Sequence, residues 1–286
     1  YNIRYDRISD ADLRPNRGRD TAWGLSGTVL SVGMLSIFAV IFVVPLVQNW
    51  PYQTQFTLAH VQAVFADSEL QTVYLHSLGM ALCTAFFGTL LAYGAALITA
   101  RSTLPKWRKQ SVDSIALVTN TIPGMVLGLA FLFTFTGTPL QNTFPLMILC
   151  NIVHYFSTPY LMMKNSLSKM NAGWETTAML MGDSWPKTIL RVVTPNAASS
   201  LIEVFSYYFI NAMVTISALI FLAGARTMVL TTKIKQLQYV NEYNEVFVLS
   251  LLILFTNLAA KSLFQYLANR KEKTAGSKSR TVKIAQ

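Results

Sequence analysis

Charged residues are scarce in this chain. Only 13% of its 286 residues are Asp, Glu, Lys or Arg, and 52% are hydrophobic, whereas soluble domains carry roughly 25% charged residues. This shortage excludes an ordinary soluble globular protein. The two cysteines, Cys83 and Cys150, lie inside apolar runs and form neither a disulfide framework nor a zinc-binding spacing. No Gly-x-x-x-x-Gly-Lys-Ser/Thr sequence occurs, which excludes a phosphate-binding loop of that type for ATP.

Long apolar runs are what the chain contains instead. A helix rises about 1.5 Å per residue, so a run of about 20 residues crosses a hydrocarbon core about 30 Å thick. The sequence predicts an all-α polytopic membrane bundle of about six transmembrane helices. Residues 21–270 form one transmembrane domain, between an N-terminal segment, 1–20, and a disordered basic tail, 271–286. The predicted spans are 21–47, 72–100, 114–135, 143–163, 201–223 and 246–267.

The net charge of +10 comes from Lys and Arg residues that lie mostly just outside the apolar runs. They occur in the N-terminal segment, the second-to-third and fourth-to-fifth connections, and the tail, whereas residues 48–71 contain none. Cytoplasmic segments of membrane proteins are enriched in Lys and Arg, so both termini are predicted to be cytoplasmic. Because the charges flank membrane spans, they do not indicate nucleic-acid binding.

Several polar and helix-breaking residues lie inside the predicted spans. Polar groups at membrane depth face protein or water rather than lipid. Taken alone, each polar residue is explained better by hydrogen bonds between helices than by a pathway. The Pro-Gly pair is explained equally by a packing kink and by a gating or pathway role. A lone histidine in the fourth span, His154, does not indicate a metal, and no metal site is predicted. The candidates for a translocation pathway are Asn120, Pro123, Gly124, Asn151, Asn211, Thr215 and Ser217.

Glu203 and Lys261 are the ionisable residues that lie deepest in the apolar runs. Both are close to the predicted cytoplasmic ends of their helices, where a lysine side chain reaches the membrane surface. They are therefore either solvated at that surface or paired in a salt bridge between the fifth and sixth spans, near an inner gate.

The connection between the fourth and fifth spans contains two short helical patterns, over 174–181 and 185–193. Gly182 separates them, as glycine does at a helix C-terminal cap, and Pro186 lies near the start of the second, where proline is tolerated. The two helices are predicted to meet at about a right angle with one apolar side. Such a surface indicates either docking of a partner or an interfacial helix pair without one.

The sequence from Glu175 to Gly182, Glu-Thr-Thr-Ala-Met-Leu-Met-Gly, with Pro195 thirteen residues after the glycine, resembles the EAA loop of ABC importer permeases. Aligned on the glycine and the proline, the family's glutamate falls on Thr176, and Glu175 lies one position early. In that family the glutamate helps the loop to dock on the ATPase. Either Glu175 replaces that glutamate here, or the contacts of the loop with the ATPase differ in part from those of the family. The resemblance implies an ATPase-coupling loop of Trp174, Glu175, Thr176, Thr177, Ala178, Gly182, Pro186 and Pro195.

The resemblance extends over residues 72–267 and implies a type I importer of the bacterial plasma membrane. Two permease halves would lie over two ATPase subunits, which carry ATP and Mg, and an external solute-binding protein would deliver the substrate. The permease itself would catalyse no covalent chemistry. The external loop 226–242 carries Arg226, Lys233 and Lys235, which would contact an acidic lobe of the binding protein or attract an anionic substrate.

Residues 214–222 are similar to permeases of the ferric-iron, thiamine, polyamine and 2-aminoethylphosphonate group. The segments 225–228 and 231–235 favour 2-aminoethylphosphonate within that group. Many of these permeases are double-length, so the chain is expected to be either one half of such a protein or a single half.

Two other classes of membrane protein compete with the importer. An ion-coupled secondary transporter is expected to show an inverted repeat and several buried carboxylates, and the spans contain neither. A membrane scaffold without transport activity would not need the two-helix loop.

Overall fold

The computed structural model describes the backbone of residues 17–284 and the side chains of residues 17–271. The predicted N-terminal segment, 1–20, therefore lies almost entirely outside the described residues. Within them the chain is helical apart from connecting turns and an antiparallel hairpin of β1 (Val47–Asn49) and β2 (Gln53–Phe56). The helices, in chain order, are α1 (Arg17–Val43), α2 (Ala59–Ala66), α3 (Ser68–Arg101), α4 (Lys106–Val118), α5 (Gly124–Phe135), α6 (Phe144–His154), α7 (Ser157–Ser168), α8 (Gly173–Leu180), α9 (Trp185–Thr188), α10 (Thr194–Asn196), α11 (Ala198–Val214), α12 (Leu230–Tyr239) and α13 (Tyr243–Ile284).

Three of the described helices are each long and apolar enough to cross a membrane. They are α1 with the 3-10 turn that extends it to Leu46, α3, and α13 as far as Lys271. Three further pairs pass the same test when each bent pair is counted as one span: α4 with α5, α6 with α7, and the α9–α10 segment with α11. The described residues thus provide up to six spans, in agreement with the six predicted runs.

The basic tail differs from its prediction. Helix α13 continues through Ile284, so the backbone of the tail is helical to that residue rather than disordered. Lys, which occurs four times in residues 271–284, is a good helix former.

Each bent pair changes direction next to a proline. α4 and α5 meet at 108° where Pro123 forces the preceding residue, Ile122, out of the helical region, with φ −90° and ψ 122°. α6 and α7 meet at 58° just before Pro159, and α10 and α11 meet at 75° just after Pro195. The bend at Pro123 is therefore a change of direction between two helices, larger than a kink within one helix.

The fifth span is shorter than predicted. The sequence predicts a helix over 201–223, but α11 ends at Val214, and an irregular segment with a 3-10 turn, Leu219–Phe221, follows. Thr215 is extended, with ψ 124°, and its carbonyl accepts a hydrogen bond from the Thr231 hydroxyl at 2.7 Å. This tertiary contact replaces the helical hydrogen bond that an apolar sequence alone would suggest.

Helix α3 lies at the centre of the bundle and packs against α6, α7 and α11. Its buried face is formed by small residues, among them Ala81, Ala85 and Ala92, each 0% exposed. Small residues allow helix backbones to approach closely in a membrane. At Gly88 the approach is so close that a Cβ would lie 2.8 Å from the ring of Tyr208 on α11.

Candidate functional site

The loop between α7 and α11 has the two-helix form that the sequence predicts. α8 ends at a cap in which Gly182 has φ +82°, the left-handed conformation that glycine adopts without strain. The Gly182 N–H donates to the Met179 carbonyl at 3.0 Å, and the Asp183 N–H donates to the Ala178 carbonyl at 2.9 Å. These two bonds form a Schellman cap, after which α9 begins with Pro186 in its first turn.

Pro195 lies within α10, just beyond the second predicted helical pattern, 185–193. A proline inside a helix lacks an N–H, and its ring collides with the carbonyl four residues earlier. The chain avoids this collision by widening into a π-helical turn, Ile189–Val193, immediately before α10. The Thr194 hydroxyl bonds the Ile189 carbonyl at 2.9 Å and lies 2.7 Å from the Tyr93 hydroxyl of α3, which ties this end of the loop to the bundle.

The loop carries a group of large exposed apolar side chains. Leu180 is 85% exposed and Leu190 is 69% exposed. Thr176 and Thr177 are exposed beside them, whereas Ala178 is buried and Trp174 packs against the core. Several large apolar side chains left exposed on one short loop indicate an interaction site. We call it the apolar loop face, formed by Met179, Leu180, Met181, Trp185 and Leu190.

Glu175 is mostly buried, unlike the residues of the apolar loop face. Both of its carboxylate oxygens accept hydrogen bonds from the Arg101 guanidinium, at 2.6 Å each, and the two side chains are 15% and 3% exposed, respectively. Glu175 is therefore already paired within the chain, and the exposed residue at the family glutamate position is Thr176. Nothing in the sequence distinguishes Arg101 from the other basic residues that flank the spans, because its partner lies 74 positions away.

A second cluster forms where two helix breaks and the end of α11 meet. A Cβ at Gly124, in the first turn of α5, would lie 2.4 Å from the Ser217 hydroxyl and 3.0 Å from the His154 ring. The Thr215 hydroxyl donates to the Asn211 carbonyl at 2.6 Å and lies 2.8 Å from the Tyr155 hydroxyl. We call this cluster the polar junction, formed by Gly124, His154, Tyr155, Thr215 and Ser217.

The other predicted pathway residues are divided between the surface and the core. Asn120 and Pro123 are exposed beside the α4–α5 break. Asn211 bonds the carbonyl one turn earlier in α11. Asn151 is 0% exposed and approaches Met80 of α3, with its Nδ2 at 3.8 Å from the sulfur. The structure thus brings together Gly124, Thr215 and Ser217, and adds His154 and Tyr155.

Glu203 and Lys261 line the same cavity of about 230 Å³ between α11 and α13, but they form no ion pair with each other. Both side chains are exposed in the structure. Exposed charges gain little from pairing, so the predicted salt bridge between the fifth and sixth spans is absent from this conformation.

The three basic residues of the predicted external loop have different surroundings. Lys233 forms an ion pair with Glu69, in the first turn of α3, at 2.6 Å, and is 12% exposed. Arg226 and Lys235 are exposed. Lys233 therefore anchors α12 to α3, and the two exposed residues are the ones available to a partner or substrate.

The profile of the family described as binding-protein-dependent transport system inner membrane component matches residues 88–273. The chain belongs to this family. The matched part of this inner membrane component contains both the two-helix loop and the polar junction.

Two curated relatives are similar over most of the chain. It is 26% identical over 231 residues to the putative ferric transport system permease protein FbpB 1 of Haemophilus influenzae, an alignment that covers 77% of this chain and 35% of that protein. It is 22% identical over 242 residues to the ferric transport system permease protein FbpB of Actinobacillus pleuropneumoniae, which covers 81% and 34%, respectively. The chain spans about a third of the length of the curated relatives it matches.

Solved structures of ABC transporters share its fold. A bacterial ABC transporter involved in the import of the acidic polysaccharide alginate matches with a TM-score of 0.70 at 13% identity, covering 88% of this chain and 96% of that one. The inward-facing MetNI methionine ABC transporter matches with a TM-score of 0.57 at 17% identity, covering 72% and 99%. These matches confirm the predicted all-α polytopic bundle with the fold of an ABC importer permease.

Proposed function

We propose that this chain forms part of the membrane pathway of an ATP-driven importer and is driven by a separate ABC ATPase that docks on the apolar loop face. The observation that carries this proposal is the combination of family membership with that exposed surface. Leu180, at 85% exposed, lies at the end of a short capped helix whose other side is anchored to the bundle. A rigid helix held in this way can pass on a movement imposed by a partner.

The side of the membrane follows from the charges. The loop between α7 and α11 belongs to the Lys- and Arg-rich segments, which favour the cytoplasm, where ATP is available. We therefore place both termini and the apolar loop face in the cytoplasm of a bacterium, with β1, β2 and α12 outside. The pathway would be completed by a second permease half, and an external solute-binding protein would deliver the substrate.

The substrate is proposed to be ferric iron. Both curated relatives described above are named as ferric transport permeases, whereas nothing in the comparisons supports the 2-aminoethylphosphonate that the sequence alone favours. At the polar junction the helices are broken, so the backbone and hydroxyl groups there are not bonded within a regular helix. Broken helices of this kind line the binding cavities of transporters. It is the proposed part of the pathway within this chain.

Substitution of Leu180 by arginine tests the docking. Placing a charge at the centre of an apolar contact is expected to lower the amount of ATPase that co-purifies with the solubilised chain at least about tenfold, in line with loss of an interface hot spot. Tyr239→Arg is the matched control, because Tyr239 is also 85% exposed but lies on α12 at the opposite side. Its ATPase content should equal that of the wild type.

The absence of any co-purifying ABC ATPase from the wild-type complex would refute the proposed function itself. If Leu180→Arg retained as much ATPase as the wild type, the ATPase would have to dock on a different surface of the chain.

Uptake measurements test the substrate. Cells that express the complete system should accumulate radiolabelled ferric iron in an energy-dependent manner, and deletion of the gene should reduce that uptake to background. Uptake of labelled 2-aminoethylphosphonate should not depend on the gene. The reverse result would restore the phosphonate assignment while leaving the importer mechanism intact.

A further inference from the structure

Arg101 is the last residue of α3, and its guanidinium connects three segments of chain. It bonds both carboxylate oxygens of Glu175 on α8. It also donates to the carbonyls of Met170 at 3.1 Å and Asn171 at 2.9 Å, in the turn that joins α7 to α8. The end of α3 is therefore fixed to the start of the loop as well as to α8.

The geometry of this contact is rigid. The planar guanidinium holds a carboxylate through two parallel hydrogen bonds, which fix orientation as well as distance. The Arg101 side chain is 3% exposed, so water does not compete for these bonds as it does at an exposed pair. By contrast, the Asp183–Lys187 pair in the same loop is 35% and 42% exposed and joins residues of the loop to each other.

The second half of the loop is also attached to α3. The Tyr93 hydroxyl, about two turns before Arg101, lies 2.7 Å from the Thr194 hydroxyl at the start of α10. Both helical parts of the loop thus contact one membrane helix, and that helix packs closely on α11 at Gly88. A displacement of α8 has a direct mechanical connection to the centre of the bundle.

We propose that Arg101 is a positioning residue that, through Glu175, transmits movement of α8 to α3. The inference rests on the proposed function and adds the contact through which docking of the ATPase acts on the membrane part. It also explains why the acidic residue of this loop lies one position before the family's glutamate: Glu175 faces inward and serves α3, while Thr176 is left on the exposed side.

The decisive variant replaces both partners, Arg101→Met with Glu175→Met. Exchanging a buried ion pair for apolar residues of similar size is often tolerated by the fold, whereas removing one partner leaves a buried charge. The variant, its ATPase and the partner half are reconstituted in liposomes with the binding protein. Two quantities are measured: ATP hydrolysis, and uptake of radiolabelled ferric iron presented on the binding protein.

The complex with Arg101→Met and Glu175→Met is expected to assemble and hydrolyse ATP, but to import about tenfold less substrate per ATP than the wild type. Its hydrolysis should no longer respond to the binding protein, a property that a purely structural contact would not change. Arg101→Lys keeps the charge but loses the two-pronged contact, and should give an intermediate ratio. Arg108→Met removes an exposed arginine of α4 and should match the wild type.

A wild-type ratio of uptake to hydrolysis in the double variant would overturn the inference. Loss of the ATPase from the purified double variant would also overturn it, because the pair would then serve docking and not transmission. If the double variant does not fold, Arg101→Lys decides, and a wild-type ratio in that variant rejects the inference. Failure of the wild-type complex itself to bind an ATPase or to import would instead refute the proposed function.

Discussion

Gly128→Ala is expected to abolish transport and to lower the yield of folded protein. Gly128 lies in α5, where a Cβ would be 2.3 Å from the carbonyl oxygen of Ala218 and 3.0 Å from its carbonyl carbon. These are backbone atoms of the irregular segment after α11, so no side chain can rotate away to make room. Overpacking of this kind typically costs about 1–3 kcal/mol or more, and here it would separate α5 from the segment that completes the polar junction.

The measurements for Gly128→Ala are the melting temperature of the purified protein in detergent and uptake in cells. Gly79→Ala is the matched control: it makes the same chemical change in α3, where a Cβ would meet no atom within 4 Å. Because alanine favours a helix over glycine by about 1 kcal/mol, the control should melt at or above the wild-type temperature. Wild-type melting and uptake in Gly128→Ala would show that α5 does not approach Ala218 so closely.

Gly88→Ala is expected to destabilise the contact between α3 and α11. The added Cβ would lie 2.8 Å from the Tyr208 ring, which is 0% exposed and has no free space to enter. The expected loss is about 1–3 kcal/mol, seen as a lower melting temperature and a smaller fraction of monodisperse protein. Uptake should fall in parallel, since α3 also carries the attachments of the cytoplasmic loop.

A second substitution tests whether the loss of stability in Gly88→Ala comes from a steric collision with Tyr208. Tyr208→Leu alone should also destabilise the protein by leaving a cavity, but combined with Gly88→Ala it should recover much of the lost stability, because the two residues share one space. Tyr208→Phe removes a buried hydroxyl that lacks a hydrogen-bond partner and should be neutral or stabilising. Purely additive losses in the Gly88→Ala/Tyr208→Leu variant would contradict the described packing.

The close packing of α3 against α11 explains why the buried face of α3 is made of small residues. Close contact with α11 requires small residues, and Ala85, Ala92 and Ala96 are each 0% exposed. Tight packing makes the helix respond as a rigid body and not by local adjustment of side chains. A helix that both receives the loop and packs at the centre of the bundle is suited to move with the loop.

The sequence by itself determined the features that depend on local chemistry. Long apolar runs are sufficient to identify membrane spans, because no other solvent accepts them. Gly182 predicts a helix cap, because the left-handed conformation favours glycine. Pro123 predicts at most a kink in the third span, because proline lacks the required N–H. These signals lie within a few residues of the structures they produce. The helical spans and the cap at Gly182 were confirmed, whereas the bend of 108° at Pro123 is larger than a kink.

Tertiary structure alone decided which separated residues meet. At the end of α11 the Thr215 carbonyl accepts a hydrogen bond from Thr231, and Glu175 is held by Arg101 at the end of α3. Neither partner is near in sequence, so no periodicity or spacing reports the contact. Glu203 and Lys261 show the converse, since opposite charges on neighbouring helices line one cavity without pairing. The apolar runs and the loop follow from the order of residues, while the pairing of Arg101 with Glu175 follows from the packing of helices that bring their ends together.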